Sequence, residues 1–126
     1  MTHPDSPSDA HPAFHGVRIL DFTRAQQGPF ATLLLADMGA EVIKVEPPGG
    51  EQGRGNGLGP DGFSSYFEGH NRGKKSLTLD FKRPGALDIV RRLVETVDVV
   101  VENFRPGVME RLGLGYEDLK AIKPDI

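Results

Sequence analysis

At 126 residues, with 37% hydrophobic and 26% charged side chains, the chain has the size and composition of one ordinary globular domain, not of a disordered or membrane-embedded one. A net charge of −3 provides no whole-molecule attraction to nucleic acid or anionic lipid, so neither is expected as a partner, and an anion site has to be a local cluster of Lys and Arg. The absence of cysteine excludes a disulfide framework, a thiolate zinc site and a Cys nucleophile, and fits a cytoplasmic setting.

The first 15 residues read as a disordered leader: Met1–Ala13 is rich in Pro, Ser, Asp and His and lacks the basic and apolar regions of a secretory signal. No apolar run approaches the roughly 20 residues needed to span a bilayer. From Gly16 the pattern becomes regular. Val17–Phe22 predicts a strand, and Gly28-Pro29 opens a helix ended by Gly39, with Phe30, Leu33, Leu34 and Met38 on one face. Glu41–Glu46, carrying Val42, Ile43 and Val45, predicts a strand covered on both faces. The Gly- and Pro-rich stretch from Pro47 to Gly62 is too costly in backbone entropy for a regular element and reads as a long loop.

Ser76–Phe81 alternates like a short strand. Pro84 opens an amphipathic helix with Ala86, Ile89, Val90, Leu93, Val94 and Val97 at helical spacing. Val99–Val101 predicts a buried strand, Asn103–Gly107 a sharp exit from it, and residues 108–112 and 116–122 short helical pieces. Strands alternating with helices imply a mostly parallel α/β sheet, here one that calls for a further strand after Lys123–Ile126.

Several motifs fail on context. Gly57–Gly62 has the spacing G-x-G-x-x-G but sits within a loop, whereas the turn after the first strand reads Thr23-Arg24-Ala25-Gln26-Gln27-Gly28. Gly69–Ser76 resembles a P-loop with one spacer residue too few and Lys where Ser or Thr belongs. His3, His11, His15 and His70 share no ligand spacing, so no metal site is expected. Glu46 and Glu102 end strands, where they either contact a ligand or cap the next turn. Arg72, Lys74, Lys75, Lys82 and Arg83, with Arg105 and Arg111 beyond, form either a solvated face or a phosphate site.

Five ordered segments carry a resemblance: Gly16–Phe22, Gly28-Pro29, Leu35–Pro47, Asn71–Asp80 and Val101–Gly107. From about Gly16 to Ile126 the chain resembles the class III CoA-transferases, a group that includes formyl-CoA, carnitine and bile-acid CoA-transferases and the α-methylacyl-CoA racemases. The resemblance implies the N-terminal portion of a Rossmann-like large domain in an interlocked homodimer. It also implies an acyl-CoA and a carboxylic acid as substrates, with no permanently bound cofactor. It places Leu79 and Lys82 at the adenine and phosphate part of CoA, Asn103, Phe104 and Arg111 along its path, and Ala25 beside it. Gln26 would lie at the thioester, where an amide stabilises oxyanion charge; its other reading is a polar residue entering the helix.

The family's nucleophilic Asp attacks the thioester; no Asp here matches its motif, and it is expected beyond Ile126. Pro47 replaces an Arg that grips CoA in some members, which leaves the phosphate grip to later basic residues and Arg54. The resemblance leaves two alternatives open: an acyl-CoA racemase on the same fold, and a non-catalytic CoA-binding or dimerising module.

Overall fold

A computed structural model describes residues 11–126. In chain order its elements are β1 (Arg18–Asp21), α1 (Gln27–Asp37), β2 (Glu41–Glu46), a 3-10 turn (Gln52–Gly55), α2 (Ser65–Asn71), β3 (Lys75–Thr78), α3 (Ala86–Val94), β4 (Val99–Val101), α4 (Val108–Arg111) and α5 (Tyr116–Ile122). The four strands form one parallel sheet in the order β3-β2-β1-β4. The fold is therefore α/β, as expected. The order reverses direction between β1 and β4, so the crevice outside the C-terminal ends of these strands is a switch point, where open α/β sheets place ligands.

The pleat divides the core. Ile19 pairs in register with Val42 and, with Ala40, faces one side, where Phe14, Leu35 and Ala36 pack. Leu20, Phe22, Ile43 and Val45 face the other, against Val90 and Val94 of α3, Val97, Met109, Leu114 and Leu119. The alternation is what a strand period of two produces when both faces are covered. Residues 1–10, most of the expected leader, lie outside the described residues. Ordered structure starts within its remainder: Phe14 donates to the Met38 carbonyl at 3.0 Å and packs on the sheet.

Three expectations change. The inward face of α1 is Pro29, Thr32 and Leu33, while Phe30, Leu34 and Met38 are 48%, 46% and 49% exposed. This helix is apolar nearly all round, so periodicity alone cannot choose its buried side. Ile89 of α3 likewise faces outward, at 42% exposure. Val99–Val101 is not a buried strand: β4 pairs only with β1, and Val99 is 39% exposed. A helix unforeseen in the sequence, α2, follows the Gly-rich loop; Ser64 caps it by accepting the Phe67 N–H at 3.0 Å.

Burial fixes the expected cost of truncation. Leu20→Ala, at a fully buried position, should lower stability by about 2–5 kcal/mol. Phe30→Ala, at a half-exposed one, should cost about 1 kcal/mol or less. Urea unfolding of the two variants of this chain checks the contrast; equal losses would mean that Phe30 is covered.

Candidate functional site

The site grows from the C-terminal end of β1. Asp21 is 0% exposed, and its carboxylate is fully engaged. Oδ1 accepts from the Thr23 N–H (2.8 Å) and the Thr23 hydroxyl (2.5 Å), and Oδ2 from the Thr32 hydroxyl (2.6 Å) and Lys74 Nζ (3.1 Å). Lys74 also donates to the Pro29 carbonyl and to Asn71 Oδ1, both at 2.9 Å. Burial pulls the Lys74 ammonium below the usual lysine range, and the Asp21 charge opposes that pull.

The next residues are held one peptide after another. The Thr23 carbonyl accepts from buried Lys44 Nζ at 2.8 Å. Asn103, just beyond β4, accepts from the Arg24 N–H and donates to the Arg24 carbonyl, each at 2.9 Å. The Ala25 N–H donates to Glu51 Oε2 at 3.0 Å, and Ala25 itself is left-handed, with φ 67°. Gln26 then caps α1 with its backbone alone, its side chain exposed and making no capping bond. Gly28 permits this close approach, since a Cβ there would stand 2.4 Å from Thr23 Cβ.

Beside this loop is a cavity of about 190 Å³ at the C-terminal ends of β1 and β2. Phe22, Leu79, Phe81 and Phe104 give it apolar walls, Arg24 and Lys82 bring positive charge, and Glu46 and Asp80, each paired with an arginine, also line it. The Arg24 guanidinium sits 4.9 Å from the centre of the Phe104 ring. Of the residues expected at a ligand, Leu79, Lys82 and Phe104 line this one cavity. Asn103 adjoins it through Arg24, and Ala25 and Gln26 continue the same loop. Arg111, exposed on α4, does not line it. A larger cavity of about 440 Å³ runs along the unpaired side of β4; of the residues singled out in the sequence as possible ligand contacts it contains Glu102 alone.

Most of the basic residues grouped by sequence are engaged elsewhere. Arg54 makes a two-pronged pair with Glu46, both contacts 2.7 Å, and lies 3.8 Å from the centre of the Phe67 ring. Arg72 pairs with Asp37, Lys75 with Glu41 and Arg83 with Asp80. Lys82 has no ion-pair partner among the described residues: only its backbone N–H is engaged, by Asp80 Oδ1 at 3.0 Å. The terminal carboxylates of β2 and β4 are structural. Glu46 also accepts from Ser76 Oγ (2.7 Å) and the Glu51 N–H (3.1 Å), and Glu102 accepts the Phe104 N–H (2.7 Å). No group of three or more metal-binding side chains occurs among the described residues. Arg24, Lys44 and Glu51 were not foreseen at the site; Arg24 was signalled only by its place directly after β1.

Fold and site together define an α/β segment with a small, largely apolar cavity, bearing two basic and two acidic side chains, at the C-terminal ends of β1 and β2 of a parallel sheet. Residues 14–126 match the model of CoA-transferase family III, and the chain belongs to that family. It is 48% identical over 127 residues to succinyl-CoA:glutarate CoA-transferase of Mus musculus, covering 98% of this chain and 29% of that protein. It is 49% identical over 114 residues to a probable fatty acyl-CoA transferase of Mycobacterium tuberculosis (88% and 29%) and 47% identical over 116 residues to formyl-CoA:oxalate CoA-transferase of Afipia carboxidovorans (90% and 27%). A crystal structure of the mycobacterial protein superposes with a TM-score of 0.85 at 48% identity, over 91% of this chain and 32% of that one. A CAIB/BAIF family protein from Brucella suis gives 0.82 at 41% identity (90% and 31%). The chain thus spans less than a third of the relatives it matches.

The Glu46 cluster yields a pH prediction. Burial pushes its carboxyl upward, but the hydrogen bonds from Arg54, Ser76 and the Glu51 amide, with the Arg54 charge, prevail and hold it at about 2 against an ordinary 4.5. A carboxyl lowered in the folded state contributes stability that is fully present above about pH 4.5 and is lost as pH falls towards 2. The loss should amount to at most about 3 kcal/mol. Urea unfolding between pH 5 and 2 should show this slope, and Glu46→Gln should flatten it.

Proposed function

We propose that this chain is the CoA-binding N-terminal part of an enzyme that moves CoA from an acyl-CoA to a carboxylic acid. The observation that carries this reading is the cavity at the C-terminal ends of β1 and β2, where Leu79, Lys82 and Phe104 meet beside the clamped loop bearing Gln26, in a chain of CoA-transferase family III. Leu79 contacts the adenine, Lys82 the phosphates, and Asn103, Phe104 and Arg111 flank the path towards the thioester, with Ala25 beside it.

In the intact enzyme an Asp outside these residues attacks the thioester carbonyl, giving an acyl-aspartyl anhydride and free CoA thiolate. The thiolate attacks the aspartyl carbonyl, which forms aspartyl-CoA and releases the donor carboxylate. The acceptor carboxylate then displaces the thiolate to form a second anhydride. Attack of the thiolate on its acceptor carbonyl yields the new acyl-CoA and restores the Asp. Each attack places negative charge on a carbonyl oxygen, and the Gln26 amide donates to it.

The location of the nucleophile outside this segment agrees with the occupations of the aspartates inside it. Asp21 is buried and saturated, Asp37, Asp80 and Asp88 hold arginines, and Asp61, Asp98 and Asp118 accept backbone N–H groups, while the Asp125 carboxylate has no hydrogen-bond or ion-pair partner among the described residues and Asp5 and Asp9 lie outside them. A homodimer is part of the proposal, since the exposed stripe Phe30, Leu34 and Met38 and the unpaired edge of β4 each favour a cover.

Calorimetric titration of the intact protein with an acyl-CoA tests the binding role. Lys82→Ala and Arg111→Ala should each raise Kd by about 3- to 30-fold through loss of a charge-assisted contact. An unchanged Kd in both variants would overturn the assignment of the phosphate grip.

A further inference from the structure

Four side chains fix the turn after β1. Asp21 and Lys44 stand on strands and Asn103 two residues beyond one, whereas Glu51 comes from the Gly-rich loop. Glu51 is only 3% exposed, and two features around it work against stability. Oε1 is buried and has no hydrogen-bond partner among the described residues. Leaving a polar atom so costs free energy. Ala25, whose N–H Oε2 receives, is held left-handed at φ 67°, which for a residue with a Cβ adds about 1–2 kcal/mol of strain. Both features have a single account if the Glu51–Ala25 bond sets the direction in which the next residue, Gln26, leaves the backbone.

We propose that Glu51 is a positioning residue that holds the Gln26 amide towards the reacting carbonyl, an inference that rests on the role given to Gln26 above. The loop is built around this carboxylate. The Glu51 N–H donates to Glu46 Oε2 at 3.1 Å, its carbonyl accepts from the Arg54 N–H at 3.1 Å, and Glu46 holds Arg54 in turn. Gly53 is the counterpart of this packing, because a Cβ at that position would stand 2.2 Å from Oε1. The first half of the Gly-rich loop therefore acts as a brace from the end of β2 to the loop after β1.

The test compares Glu51→Ala, Glu51→Gln, Gly53→Ala, Gln26→Ala and the double variant E51A/Q26A in the intact protein. It reads kcat and KM for acyl-CoA:carboxylate transfer, and amide hydrogen exchange at Ala25. Glu51→Ala should lower kcat about tenfold or more while KM for the acyl-CoA stays within about twofold. Glu51→Gln should restore most of kcat, since an amide oxygen also accepts the Ala25 N–H. Gly53→Ala, which keeps the carboxylate but displaces it, should behave like Glu51→Ala. The double variant should be no slower than Gln26→Ala. Exchange at Ala25 should accelerate in E51A and G53A and not in E51Q.

The proposal is overturned by unchanged exchange at Ala25 in both E51A and G53A, by wild-type kcat in E51A when Q26A is impaired, or by additive losses in the double variant. A Q26A enzyme with wild-type kcat removes the role of Gln26, and with it the catalytic consequence of the clamp, even where exchange shows the clamp to exist. If Glu51→Ala does not fold, the contrast between Gly53→Ala and Glu51→Gln decides.

Discussion

A fully buried carboxylate at the C-terminal end of the central strand is the constraint from which this architecture follows. Asp21 has no water to solvate it, so its oxygens have to be satisfied by groups brought from elsewhere in the chain. Thr23 turns back onto it, Thr32 puts a hydroxyl on the inward face of α1 between Pro29 and Leu33, and Lys74 arrives from beyond α2. Lys74 reaches Pro29 and Asn71 as well, so one ammonium ties together β1, α1, α2 and the entrance to β3. Such a pair contributes little net stability compared with apolar packing. It does fix relative position, because any shift of α1 or α2 leaves a buried charge without its partner.

That fixed end is what allows the following loop to be rigid. Consecutive peptide groups of Thr23, Arg24 and Ala25 are held by Lys44, Asn103 and Glu51, from β2, the β4 exit and the Gly-rich loop. A site that stabilises developing charge needs its donors in place before reaction, since reorientation during the reaction consumes the stabilisation they provide. The left-handed Ala25 is consistent with such preorganisation: the surrounding bonds over-determine a backbone conformation that the residue would not choose alone.

Much of the scaffold was legible because it rests on local patterns. The apolar runs in Val17–Phe22 and Glu41–Glu46 and the spacing of Ala86, Val90 and Val94 specify elements that the structure contains. The buried face of α1 was not legible, because Phe30 and Leu34 are as apolar as Leu33, and the choice among them depends on where Asp21 requires Thr32. The helix α2 was obscured by the Gly69–Gly73 composition, although Ser64 supplied a cap. Within the site, Leu79, Lys82 and Phe104 were named through a family resemblance and meet at one cavity. Glu51 had no signal, since a lone acid in a Gly-rich stretch acquires meaning only when folding brings it to Ala25, 26 residues away.

Pairing in the fold separates structural from available charge. Sequence adjacency grouped Arg72, Lys74, Lys75, Lys82 and Arg83, but pairing in the fold assigns four of them to carboxylates. Arg54 is removed too, by its two-pronged contact with Glu46. Lys82 remains at the cavity, with Arg24 held over Phe104 at its rim. The cavity thus pairs an apolar wall with two basic residues, and its acids, Glu46 and Asp80, are held by arginines, so stacking and shape weigh there as much as Coulomb attraction. For the CoA proposed above, that balance would let the aromatic base rest on the apolar wall while Lys82 meets the phosphates.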